Sequence, residues 1–560
     1  MALLEIKDLS FTYPEATTNA LENISFSVNE GEFCILCGES GCGKTTLLKL
    51  LKKQIAPYGD ISGEIIYNGK NADLLSDRLS ASEIGFIMQN PENQVVTDTV
   101  WHELCFGLEN LGVPTDVIRR RVAETVNFFG INDWFYKKTS ELSGGQKQLL
   151  NLASVLVMQP KLLLLDEPTA QLDPVAASDF LNILQNLNKE LGLTVIIAEH
   201  NLEEILSISD KVLLLNGGKL EFSGDPRAFA EYFRKNPSHT LARAQPAAAR
   251  IYCMLQSGDV CPLNVKEGRR FLSENFRNDV DVLPQRSYDH SPEKTVELKN
   301  VWFRYEKNLP DILKDASFSV FKGEHFCILG GNGTGKTTTI GIIAGLLKPY
   351  CGKVLINGKP AEKYRGNSLY YKNIAVLPQN PELLFLHKTV AEDLEKSAAA
   401  FGLSAADTNK KIGEISELLH IENILGCHPY DLSGGEQQKA ALAKVLISEP
   451  SILLLDEPTK ALDVGGKKVI ADIIKTMTDS SVTVITVTHD VDFAAENADR
   501  CGLFFDGAIV SENTPTEFFD QNSFYTTAAN RIARGYFKKA ILCEEVAALC
   551  KLNGGGEQNS

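Results

Sequence analysis

What this 560-residue chain lacks narrows its class before any motif is read. Basic residues are outnumbered, 56 Lys and Arg against 72 Asp and Glu, for a formal net charge of −16. Proteins that grip a phosphate backbone usually carry a basic face, so the balance argues against a nucleic-acid binder. No window approaches the roughly 18 consecutive apolar residues of a membrane span, and the apolar core of KLLLLDEP is too short to cross a bilayer. The N-terminus MALLEIKDLSFTYPE has no basic stretch followed by an apolar core, so no signal peptide is expected. Any membrane role is therefore expected to come through a partner. Paired CxxC motifs of the metal-binding kind are missing among the 12 cysteines. The one CxxC, Cys34 and Cys37 in FCILCG, falls on an apolar strand, where residues three apart point to opposite faces. Two buried strand cysteines in a reducing cytosol are expected there, not a metal site.

What is present is ordinary in bulk, 44% hydrophobic and 23% charged, and repeated in detail. GESGCGKTT (Gly38 to Thr46) returns as GGNGTGKTT (Gly330 to Thr338), LSGGQKQ as LSGGEQQ, and LLLLDEPTAQLD as ILLLDEPTKALD. The period is about 290 residues, which means two whole domains and not a solenoid. Each half reads as a β-rich start, a strand, a glycine loop and helix, a polar helical middle, then buried strands alternating with helices. KLLLLDE, SILLLDE, LTVIIAEH and VTVITVTH are apolar on both faces, as strands of a parallel sheet are. The expected layout is one domain over 1–236, its C-terminal extension and a linker over 237–292, a second domain over 293–525, and an extension with a disordered tail over 526–560.

The G-x-x-x-x-G-K-[ST] pattern between a strand and a helix is a phosphate-binding loop. Its glycines let backbone N–H groups converge on phosphate oxygens at a helix N-terminus. Gly38, Glu39, Ser40, Gly41, Cys42, Gly43, Lys44, Thr45 and Thr46 form the first loop. Gly330, Gly331, Asn332, Gly333, Thr334, Gly335, Lys336, Thr337 and Thr338 form the second. Lys44 and Lys336 are expected on the β- and γ-phosphates, and the Thr45 and Thr337 hydroxyls on Mg²⁺. Cys42, inside the first loop, raises the expectation that thiol modification blocks ATP binding. Asp166 and Asp456 end buried strands, where they suit Mg²⁺. Glu167 and Glu457 follow them, where a carboxylate can orient or deprotonate a water. His200 and His489 close later strands and are expected near the γ-phosphate. Tyr13 and Tyr305 are spaced to stack on a base.

Taken together, these motifs resemble the nucleotide-binding domains of ABC ATPases. The resemblance covers both halves and implies an α/β fold of two P-loop NTPase (ABC-type) domains in tandem, each with a β-rich and a helical subdomain. It implies a head-to-tail pairing of the two halves within one chain, around two ATP molecules. Ser433, Gly434 and Gly435 would complete the site of Lys44, and Ser143, Gly144 and Gly145 that of Lys336. Asp173 and Asp463 would be the D-loops. Neither half lacks a catalytic element, so two hydrolysing sites are expected. One departure is Glu436, which stands where the first copy has Gln146; a tolerated acid at a helix start is the expectation.

Gln89 and Gln379 fall where the family's Q-loop glutamines belong, within reach of Mg²⁺ or the attacking water. QNPENQVVTDTVWHELCFGLENLGVP further resembles the ATPases of energy-coupling factor vitamin importers, as do the fused cassettes. That resemblance implies an integral membrane scaffold subunit, a membrane substrate-binding subunit, no nucleic acid, and a place on the cytoplasmic face of the cell membrane. Asn93-Gln94 and Leu383-Leu384 would line two unlike docking grooves. Glu92, Asp98, Glu103, Glu382, Glu392 and Asp393 would meet arginines of the scaffold. The runner-up reading is a soluble tandem ABC ATPase acting on ribosomes or nucleic acid. Such proteins carry a long charged linker helix or an iron–sulfur cysteine cluster, neither of which is written here.

Overall fold

A computed structural model describes residues 2–14, 16–256, 258, 260–284, 291–364, 366–460 and 462–553. The chain divides into two compact units, Met1–Glu267 and Gly268–Ser560. The division falls inside the helix Val265–Asn275. The stretch expected as extension and linker is thus shared between the units. Beyond the division, Val280 and Asn553 exchange hydrogen bonds of 2.8 and 2.7 Å, and Lys538 pairs with Asp281 at 2.6 Å. That part belongs with the end of the second unit.

Each unit holds two sheets. In the first, an antiparallel sheet orders Leu21–Asn29, Ala2–Thr12, Asp60–Tyr67 and Lys70–Asn71. A six-stranded sheet orders Lys219–Gly224, Lys211–Asn216, Phe33–Gly38, Thr194–Ala198, Leu162–Asp166 and Ile84–Ile87. The second unit repeats the plan, with His325–Leu329, Thr483–Thr488 and Ile452–Asp456 adjacent in its larger sheet. The strand LLLLD is buried at every position because helices cover both faces of a parallel sheet.

Register decides where the chemistry gathers. Leu36 pairs with Ala198, and Ala198 in turn with Asp166, so three parallel strands end level. The residues that follow them, the glycine loop, Glu167 and His200, emerge at one sheet edge. Ligands of open α/β sheets bind at this carboxyl edge.

A further group of helices builds its own core, with Gly144–Leu156 also packed against the strand Ile84–Ile87, where Val155 faces Gly85. Val100–Asn110, Thr115–Phe129 and Gly144–Leu156 share a core of Leu104, Leu108, Val122, Val126 and Leu150. In Thr115–Phe129 the buried residues Ile118, Val122 and Val126 recur at helical spacing, and Gly130, at φ 66°, closes the helix. No helix among the described residues is long and apolar enough to cross a membrane.

Candidate functional site

In the first unit the loop from Gly38 to Gly43 joins the strand Phe33–Gly38 to the helix Lys44–Leu50. Gly43 sits at φ 103°, and a Cβ there would meet Leu21 Cδ2 at 2.7 Å and Ala20 O at 2.8 Å. Only glycine suits that position. The buried Lys44 extends its Nζ back to the carbonyls of Gly38 and Glu39, both at 2.9 Å. Lys336 does the same to Gly330 and Gly331, at 2.9 and 2.8 Å. Each ammonium is thereby held inside its loop, where an anionic ligand would displace the carbonyls. Cys42 is buried, and that burial pushes its thiol pKa up, which makes it a poor nucleophile.

Thr45 Oγ1 donates to Asp166 Oδ1 at 3.1 Å, and Thr337 Oγ1 to Asp456 Oδ1 at 3.2 Å. Burial, reinforced by the adjacent Glu167 or Glu457, pushes each aspartate up to about 6. A hydroxyl beside a carboxylate strained in this way suits a hard divalent cation, which relieves the charge. Among the described residues no three His, Cys, Asp or Glu side chains gather into a metal cage. Thr45 with Asp166, and Thr337 with Asp456, are the residues that would hold a hard cation such as Mg²⁺ in each unit.

Glu167 is the hub of the first site. Its Oε1 lies 2.6 Å from His200 Nε2 and 4.0 Å from Lys44 Nζ, and its Oε2 accepts from Gln89 Nε2 at 2.7 Å. The backbone here is unusual, with Glu167 at φ 45° and Glu457 at φ 52°. A left-handed non-glycine residue costs about 1–3 kcal/mol and is kept where the surroundings fix it. In the second site Glu457 Oε2 lies 2.9 Å from His489 Nδ1, while Gln379 is exposed. Tyr13 and Tyr305 hydroxyls bond Thr46 and Thr338 at 2.9 and 3.1 Å, which fixes both rings beside the loops. Both rings remain at least 40% exposed, open to a base.

Ser143 caps the helix Gly144–Leu156 with Gln146 completing a capping box, while at the start of Gly434–Leu446 it is Glu436 that reaches back to Ser433. Glu436 accepts from Ser433 N at 3.0 Å and from Ser433 Oγ at 2.7 Å. Asp173 and Asp463 cap the next long helices, accepting from Ala176 N and Gly466 N at 2.8 Å.

A family model described as ABC transporter matches residues 21–170 and again 313–460. Over 558 residues, 98% of this chain, the sequence is 40% identical to a Bacillus anthracis protein provisionally named an ABC transporter ATP-binding protein, of which it spans 99%. The chain belongs to the ABC transporter family. It binds and hydrolyses ATP. A similarly named protein of Methanosarcina acetivorans is 31% identical over 92% of this chain and 85% of its own length. Among solved structures, cbiO1 of Clostridium perfringens, part of the ABC transporter complex cbiONQ, is 34% identical. It covers 43% of this chain and 97% of its own, at a TM-score of 0.38. A dimeric bacterial ABC transporter cassette is 28% identical over 39% of this chain, at a TM-score of 0.37.

The segment after each Q-loop glutamine of this ABC ATPase is arranged differently from the expectation. Gln94 turns inward, accepting from Met88 N at 2.9 Å and donating to Phe86 O at 3.1 Å. Its counterpart Leu384 also turns inward, against the helical core. The outward pairs are Asn93 with Val96, and Leu383 with Leu386, the last two 72% and 79% exposed. Glu103 is buried and accepts from Val96 N and Thr97 N at 3.1 and 2.8 Å. Asp393 is buried too, paired with Lys444 at 2.6 Å and accepting from Leu386 N. Neither carboxylate faces outward to meet a partner's arginine; each fastens the loop it follows. Glu92 is taken by Lys147, whereas Asp98 and Glu382 stay exposed. Glu392 accepts from Lys388 N at 3.2 Å. Lys444 escaped notice in the sequence because it lies on a different helix, with no spacing to link it to Asp393.

Proposed function

We propose that this ABC ATPase is the energy-supplying subunit of a membrane importer of the energy-coupling factor type, for a vitamin or other micronutrient. The observation that carries the reading is the outward apolar pair beside the second Q-loop, Leu383 and Leu386. Exposed leucines on a tightly tethered loop are costly to leave in water, at about 25 cal/mol per Å² of apolar surface. A helix of a membrane scaffold subunit is the partner they suit, with a separate membrane subunit binding the cargo. The chain then sits on the cytoplasmic face of the cell membrane through those partners.

Within each site, Lys44 or Lys336 exchanges its loop carbonyls for phosphate oxygens. Thr45 with Asp166, and Thr337 with Asp456, hold Mg²⁺, which neutralises charge on the phosphates. Glu167 orients the attacking water and takes its proton, with His200 and Gln89 fixing its two oxygens. Glu457 and His489 do the same in the second site, joined by Gln379. The signature serines and glycines, Ser143 to Gly145 and Ser433 to Gly435, offer helix-start donors to a phosphate. Loss of the γ-phosphate on hydrolysis removes that contact, and the conformational balance of the two cassettes shifts.

The test is reconstitution of the chain with its membrane subunits in proteoliposomes. Substrate uptake that requires internal ATP, and fails for Glu167→Gln, supports the reading. A purified chain that associates with ribosomes and with no membrane protein overturns it.

A further inference from the structure

The two cassettes repeat every motif, yet they brace their candidate bases differently. In the first, the buried Glu199 precedes His200. Its Oε1 accepts from Thr169 N at 3.1 Å and from Thr169 Oγ1 at 2.7 Å, and its Oε2 lies 3.3 Å from His200 N. One carboxylate thus ties the turn that follows Glu167 to the turn that carries His200. The second cassette has Thr488 at this place, whose hydroxyl accepts from Asp490 N at 3.0 Å. There Asp490 pairs with Lys467, and Lys460 stands half-buried where the first cassette has Ala170, within the field of Glu457 and Asp456. The first base has an added carboxylate as neighbour, the second an added ammonium.

We propose that Glu199 is a positioning residue for ATP hydrolysis in the first cassette alone, and that its ionised carboxylate holds the turn that carries Glu167 in its working geometry. Ionised, Glu199 accepts stronger hydrogen bonds from Thr169 and so holds the Glu167 turn more firmly. The charged groups facing Glu199 are Glu167 and His200, with Lys44 beyond Glu167. Burial, outweighing the hydrogen bonds from Thr169, pushes Glu199 up to about 7. Its ionisation therefore falls within the range over which the enzyme is assayed, and the second cassette has no counterpart.

The experiment measures ATPase kcat and KM of the full chain from pH 6 to pH 8.5, for the parent, Glu199→Gln and Glu199→Thr. Glutamine keeps the shape and one oxygen for Thr169 but cannot ionise, so folding is not at issue. We expect the parent's kcat to rise with pH through about 7, that rise to be absent in Glu199→Gln, and the two rates to differ about two-fold at pH 8, the second cassette's share remaining, while agreeing at pH 6. The KM for ATP stays within about two-fold, since Glu199 touches no loop residue that binds phosphate. Glu199→Thr, which imports the second cassette's residue, behaves as Glu199→Gln. Superimposable pH profiles for parent and Glu199→Gln overturn the proposal. A uniform loss at every pH does so as well, because it marks a purely structural role.

Discussion

Replacing Gln94 by alanine probes how the Q-loop is held. The side chain closes the loop Met88 to Gln94 through two hydrogen bonds, to Met88 N at 2.9 Å and Phe86 O at 3.1 Å. Within that loop Gln89 reaches Glu167 at 2.7 Å. Each neutral hydrogen bond contributes about 0.5–1.5 kcal/mol net, so the closed loop loses about 1–3 kcal/mol relative to open forms. At about 1.4 kcal/mol per tenfold, the lower part of that range already cuts the closed population severalfold. We expect turnover at the first site to fall about ten-fold, which roughly halves the kcat of the whole chain with the second site intact, while equilibrium binding of a fluorescent ATP analogue changes less than about two-fold, because no phosphate-loop residue is disturbed. Gln94→Leu should fall between, since Leu384 fills the matching place in the second cassette by packing alone. Steady-state turnover and titration of the analogue, on the same preparations, decide the matter. Unchanged turnover in Gln94→Ala, or loss of nucleotide binding with it, would refute the reasoning.

Three further substitutions probe titratable groups of the second unit. Asp393→Ala strands the largely buried Lys444 without its partner and should destabilise the second unit by about 3–5 kcal/mol, read as a lowered urea midpoint for one of two unfolding transitions. His325 Nδ1 donates to Asn497 O, which leaves Nε2 of the neutral ring to accept from Thr486 Oγ1, and burial holds its pKa down to about 4, against 6.5 ordinarily. Its contribution is therefore complete above about pH 6.5 and lost as pH falls towards 4, costing about 2 kcal/mol at pH 5. His325→Phe, which copies Phe33 of the first unit, should remove that share of the acid sensitivity in thermal melts. Glu436→Gln keeps the helix cap and should change ATPase rate less than about two-fold, because a carboxylate at this position mainly serves the helix N-terminus.

The glycine loops and strand-end carboxylates of the candidate sites were legible in the sequence because backbone geometry restricts where such residues can stand. Gly43, at φ 103°, and Gly335, at φ 111°, both hold backbone conformations that side chains rarely adopt, and at Gly43 neighbours also stand closer than a Cβ tolerates, so glycine is required at this place in both copies. Asp166 and Asp456 could be placed because buried parallel strands leave an unbroken apolar run that ends where the sheet does. Side chains on irregular loops were not legible. The period that tells inside from outside on a strand or helix is absent in the 3₁₀ turns Pro91–Asn93 and Pro381–Leu384. Gln94 therefore looked like a surface polar group, and Glu103 and Asp393 looked like exposed acids in the first turns of the helices Val100–Asn110 and Val390–Ala400, although all three satisfy backbone groups inside. Glu199 was hidden for another reason. Its partner Thr169 lies on a different strand end, so only the folded register brings the two together.

The central claim, that this ATPase drives transport through a membrane scaffold, is tested most directly by purifying the tagged chain from detergent-solubilised membranes of its host. The account predicts stoichiometric recovery of a polytopic membrane protein, lost on Leu383→Asp combined with Leu386→Asp while ATP binding persists. Recovery of the chain without any membrane protein, or retention of the complex by that double variant, would contradict it.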